Sequence, residues 1–85
     1  MRLSLAYMSH VVAAELVANV VQVFVRVGDE VGPLDMLVLL DSMKMEIPVL
    51  ADVSGTITEV AVSVGDVVTE GDVIAVIGSA ASGAS

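Results

Sequence analysis

The sequence predicts an all-β domain, a flattened barrel or sandwich of two halves related by a pseudo-twofold axis. Three observations point there. Residues 14–42 align without a gap on residues 51–79, at an offset of 37. Within each copy, β-branched residues alternate with others at the period of a strand. No helical period of usable length occurs anywhere in the chain.

The repeat is carried by particular residues. Val23, Val25, Val27, Gly28, Asp29, Val31 and Asp35 meet Val60, Val62, Val64, Gly65, Asp66, Val68 and Asp72. Matching valines alone would mean little in so valine-rich a chain. Matching Val-Gly-Asp together with the later Asp is a stronger sign. In the first copy, Val21, Val23, Val25 and Val27 are expected on one face of a strand. The second copy alternates more cleanly, with Val60, Val62 and Val64 set against Glu59, Ala61 and Ser63. Gly28-Asp29 and Gly65-Asp66 mark turns, since Gly permits positive φ and Asp bonds its local backbone. The apolar runs 36–41 and 73–78 read as strands buried in a sandwich core. Neither half can bury its apolar face alone, so the two must pack together into two roughly four-stranded antiparallel sheets. The link between halves, residues 43–45, then lies at one end of the molecule, and both termini lie near the other. Residues 10–79 are expected to form the domain. Residues 1–9 read as a flexible extension, and residues 80–85, small and uncharged, as a flexible tail.

Composition narrows the function. The net charge of −8, with one Phe, one Tyr and no Trp, opposes nucleic-acid binding, which needs cations for phosphates and rings for bases. It favours a monomer held apart from its copies by self-repulsion. There is no cysteine and one histidine, His10, so no metal site is expected. Although 56% of residues are hydrophobic, the best apolar run, 16–27, is broken by Asn19, Gln22 and Arg26. No membrane span is expected, and the start of the chain makes a poor secretory signal. A cytoplasmic protein is the expectation.

One residue stands apart. Lys44 is the only lysine, and it sits between Met43 and Met45 at the junction of the two copies. An ordinary turn lysine does little more than solubilise. An extended chain would turn both methionines to the side opposite Lys44, leaving the ammonium outward and the thioethers against the body of the domain. The sequence supplies nothing to remove the amine's proton, and Asp41 and Glu46 favour its charged form. A lysine that forms intermediates by itself needs desolvation or a cationic neighbour. Lys44 therefore reads as a substrate for another enzyme rather than as a catalyst, and no catalytic residue is assigned.

Ser42-Met43-Lys44-Met45, set between these copies, resembles the attachment motif of biotinyl domains, the biotin carriers of biotin-dependent carboxylases. Residues 62–77 are similar to the second half of that family, and the resemblance covers roughly residues 12–78. It implies a barrel-sandwich hybrid fold and covalent biotin on Lys44, attached by a biotin protein ligase. It further implies a swinging arm that carries carboxyl groups between biotin carboxylase and carboxyltransferase subunits, so that the chain is a carrier and not an enzyme. Met43 and Met45 are then recognition contacts and anchors of the turn, and Glu46 is either a contact for the ligase or a solvated charge of the hairpin. A lipoyl-type carrier and an unmodified adaptor of the same fold are the alternatives; the flanking methionines favour biotin. Three departures stand out. Leu34 replaces a glycine usual in the family, Ala18 stands where the second copy has Gly55, and the ungapped repeat leaves no room for a thumb insertion.

Overall fold

The computed structural model describes residues 7–43 and 45–80. Its strands are β1 (Tyr7–Ala13), β2 (Ala18–Val23), β3 (Glu30–Val31), β4 (Met36–Ser42), β5 (Met45–Leu50), β6 (Gly55–Val60), β7 (Val67–Val68) and β8 (Val73–Ala80). They form two four-stranded sheets, ordered β1-β8-β6-β3 and β5-β4-β2-β7, with every pairing antiparallel. No helix among the described residues is long and apolar enough to cross a membrane.

The 37-residue offset carries one sheet onto the other. It takes β2, β3 and β4 onto β6, β7 and β8, and β1 onto β5. Even the registers agree. Asn19↔Asp41, Val20↔Leu40, Gln22↔Leu39 and Val23↔Val38 in one sheet become Thr56↔Gly78, Ile57↔Ile77, Glu59↔Val76 and Val60↔Ala75 in the other. Each sheet has a bulge at the same place, at Val21 and at Thr58. The core repeats as well. Val20, Leu37, Leu40 and Val31 are buried with their counterparts Ile57, Ile74, Ile77 and Val68. No charged or polar side chain is buried among the described residues, so burial of apolar surface holds the two sheets together.

Aspartates fix the turns. The Asp29 carboxylate accepts the Arg26 N–H at 3.0 Å, and Asp66 accepts the Ser63 N–H at 2.8 Å. The backbone N–H groups of the same two aspartates donate back to the carbonyls of Arg26 and Ser63. Gly28 and Gly65 take φ of 99° and 97°, which side chains resist. Each turn then crosses to the opposite half, with Gly28 N–H on the Ile57 carbonyl and Gly65 N–H on that of Val20.

Several expectations need correction. The first long strand ends at Val23, and the bulge turns Val21 outward while Val20 points into the core. A bulge inserts one unpaired residue and so reverses the alternation beyond it; Val23 and Val25 pack against the core, whereas Val21 and, beyond the strand, Val27 are exposed. The strands also reach past the expected bounds of 10–79. Tyr7, Met8 and Ser9 pair with Ala80, Ser79 and Gly78, because β8 offers an edge that β1 continues to fill. The rest of the expected extension and tail, 1–6 and 81–85, lies outside the described residues.

Candidate functional site

Strands β4 and β5 pair from Met36↔Leu50 to Ser42↔Met45, so positions 43 and 44 close the hairpin between the halves. Lys44 lies outside the described residues; the frame on either side of it is defined. In the other sheet the equivalent positions are Ala80 and Tyr7, which face each other as the last pair of β1 and β8. The hairpin thus occupies the place where, in the related half, the chain runs in and out.

The methionines do not lie against the body of the domain, as an extended chain would have placed them. Met43 is 91% exposed and Met45 61%. The reason is the turn. Two-residue hairpins use turns that need positive φ at the first loop position, and Met43 has φ 48° there. A residue with a side chain in that region is strained by about 1 kcal/mol or more. Gly or Asn would relieve the strain, yet the position holds a methionine whose side chain touches little of the domain. The anchoring role expected for the methionines therefore has no burial behind it. A role that begins when another surface arrives is compatible with the geometry.

Below the loop, Asp41 and Glu46 sit directly opposite each other across β4 and β5. Like charges so placed repel. The equivalent pair in the other sheet is Gly78 and Ser9, which carries no charge, so the carboxylates belong to this hairpin alone. Ser42, one step nearer the loop, donates its hydroxyl to the Val17 carbonyl at 2.9 Å, tying the hairpin to the segment that leads into β2. Glu46 was expected as a contact on its own; its pairing with Asp41 across the strands is additional. The signal was available, because a two-residue loop at 43–44 makes 41 and 46 partners. The serine tether, 25 residues apart in the chain, gave no local sign.

A groove of about 520 Å³ runs between the edge strands β1 and β5, lined by Val12, Leu40, Ile47 and Val49 among others. Met43 and Met45 take no part in it. No group of three or more potential metal ligands occurs among the described residues. The described part of the hairpin end therefore consists of two exposed methionines carried on the paired strands β4 and β5.

Comparison with known proteins agrees with this geometry. A Mycobacterium leprae protein named biotinylated protein TB7.3 homolog is 60% identical over 70 residues, covering 82% of this chain and 99% of that protein. A Bacillus subtilis biotin/lipoyl attachment protein is 43% identical over 63 residues, covering 74% and 86%. Among solved structures, the Kluyveromyces lactis urea carboxylase matches with a TM-score of 0.76 at 30% identity. That match covers 82% of this chain and 6% of the carboxylase, so the likeness concerns one domain of a much longer protein. The sequence model of the biotin/lipoyl family, described as "Biotin-requiring enzyme", matches residues 8–77, and the chain belongs to that family.

Proposed function

We propose that this chain is a biotin carrier domain and that Lys44 is the point of covalent attachment. One observation carries the reading. The hairpin that joins two matching half-domains displays Met43 and Met45, both exposed, on either side of the chain's only lysine. A tethered group needs a firm and accessible base rather than a pocket. The paired strands β4 and β5 and the Ser42 tether supply firmness, and the exposed loop supplies access.

A biotin protein ligase joins Lys44 Nζ to the carboxyl carbon of biotin presented as an acyl-adenylate. The amide bond forms, the acyl–phosphate bond breaks, AMP leaves, and the amine's protons pass to the leaving group and solvent. The bound cofactor supplies carboxyl-group transfer. The protein contributes presentation: the arm raises the local concentration of the cofactor at a biotin carboxylase and at a carboxyltransferase in turn. The chain is a carrier and a substrate of the ligase, with no catalytic step of its own. Its net charge of −8 keeps copies apart as monomers, and the cytoplasm is where ligase and carboxylase subunits meet it.

Intact mass after co-expression with a biotin protein ligase tests the reading. A single biotinyl adduct, absent in Lys44→Ala, is the expected result. A second reading, a lipoyl arm, draws on the Bacillus subtilis relative, whose name admits either group. A lipoyl adduct with no biotinyl adduct would establish it instead.

A further inference from the structure

The two methionines differ from an ordinary hydrophobic pair in being outside the core while flanking the lysine. Met43 is 91% exposed, Met45 61%, and Met36, at the far end of β4, 40%. Oxidation of a thioether follows its access to solvent, and it converts a flexible apolar group into a polar, chiral one. Where the methionine belongs to the core, that change damages the fold. Here neither side chain is among the buried residues that form the core, so the change falls on the surface presented to a partner and leaves the sheets untouched.

We propose that Met43 and Met45 are a reversible oxidation site that governs modification of Lys44; this rests on the reading of Lys44 as the attachment point. Hydrogen peroxide, or another two-electron peroxide oxidant, transfers one oxygen atom to each thioether sulfur. Sulfur is oxidised to the sulfoxide, the O–O bond breaks, and peroxide is reduced to water. The new S=O group accepts hydrogen bonds and resists burial in an apolar recognition surface. A ligase that closes over Met43 and Met45 then has to bury that group without a partner. Methionine sulfoxide reductase reverses the step with a dithiol as reductant: each sulfoxide returns to thioether, its oxygen leaves as water and the dithiol becomes a disulfide, so modification of Lys44 follows the peroxide level.

The experiment treats the unbiotinylated protein with hydrogen peroxide, removes the oxidant with catalase, and maps sulfoxides by peptide mass. Biotinylation by a biotin protein ligase is then timed. Met43 and Met45 are expected to oxidise ahead of Met36, with the melting temperature unchanged. The ligase kcat/KM is expected to fall about tenfold, the scale set by burying one polar group without a partner. Methionine sulfoxide reductase restores it. The double variant Met43→Leu, Met45→Leu keeps the apolar surface and is ligated at one rate with or without peroxide. Oxidation of Met36 ahead of the pair, or ligation of the doubly oxidised protein at the unoxidised rate, overturns the proposal. If the untreated protein takes no biotin, the reading of Lys44 fails instead, and that untreated control separates this outcome from failure of the oxidation proposal.

Discussion

The two halves of this domain agree down to the register of single residue pairs, and they part company at a few sites that can each be explained. The shared features are those that make a core: the same bulges, the same aspartate-bonded turns and the same buried positions. The differences fall into two kinds. At the Leu34 turn the halves place positive φ at different residues, and at Gly55 one half leaves no room for a side chain where the other carries an alanine. At the hairpin the first half carries strain and repulsion that the second lacks. Local rules of stability are most often broken where a site has to meet something else, and that separates the hairpin from the other two.

The turn at Leu34 shows how a difference is compensated. In the second half, Thr69–Asp72 has Gly71 at φ 93°, and its N–H donates to the Ala14 carbonyl at 2.9 Å. In the first half Leu34 replaces that glycine. Positive φ appears instead at Asp52, at 68°, and the bond reverses, with Asp52 N–H donating to the Pro33 carbonyl at 2.9 Å. Pro33 suits the second position of a turn that needs no positive φ. The unusual conformation has moved from the turn to the segment crossing it. Leu34 is left 84% exposed.

The most severe way to break the symmetry is to empty matching core positions. Leu40→Ala and Ile77→Ala remove equivalent buried side chains, and each is expected to lower stability by about 2–5 kcal/mol. Chemical denaturation should show both unfolding in one transition with similar midpoints. A separate early transition for either variant would mean that the halves fold independently.

Next comes Gly55, where the halves are not interchangeable. A Cβ there would lie 2.6 Å from the Gly78 carbonyl oxygen and 2.7 Å from the Ile77 side chain. Gly55→Ala is expected to destabilise by about 1–3 kcal/mol, as overpacking does. The counterpart Ala18 already carries a buried methyl, and Ala18→Gly should lose only about 1 kcal/mol. If the two exchanges had equal effects on the denaturation midpoint, the close approach at Gly55 would be without consequence.

The Leu34 turn gives a smaller effect with opposite signs. Gly71→Ala forces a side chain into positive φ and should destabilise by about 1 kcal/mol. Asp52→Gly relieves a strained non-glycine residue, and thermal unfolding should show it neutral or slightly stabilised. A clear loss of stability in Asp52→Gly would mean that its side chain, rather than its backbone, holds the crossing.

Much of this was legible in the sequence because it depends on local chemistry repeated twice. Gly-Asp at 28–29 and 65–66 announced turns, and the runs ending at Asp41 and Gly78 announced buried strands. What escaped depends on pairing across strands or on backbone shape. The bulge at Val21 leaves no mark in a run of valines, and so the face of that strand was misassigned. The outward methionines were missed because their side was reasoned from an extended chain, whereas a two-residue loop at Met43 imposes positive φ. Lys44 itself could be read without the fold, since the only lysine of a chain, set at the junction of a repeat, needs no coordinates to be noticed.

The finest test concerns the carboxylates that only the hairpin end possesses. Asp41 and Glu46 face each other across β4 and β5, where the other sheet has Gly78 and Ser9. Glu46→Ser installs the residue that the related half uses. Removing a like-charge cross-strand pair should raise stability by a few tenths of a kcal/mol, and salt should erase the gain by screening the charges that wild type retains. The same variant should be biotinylated more slowly if Glu46 contacts the ligase. Thermal unfolding at two ionic strengths, beside a ligation time course, reads both effects. A variant that is more stable and more slowly ligated would show repulsion kept at the hairpin for the sake of recognition. One that is more stable and ligated as wild type would make Glu46 a solvated charge, leaving recognition to Met43 and Met45.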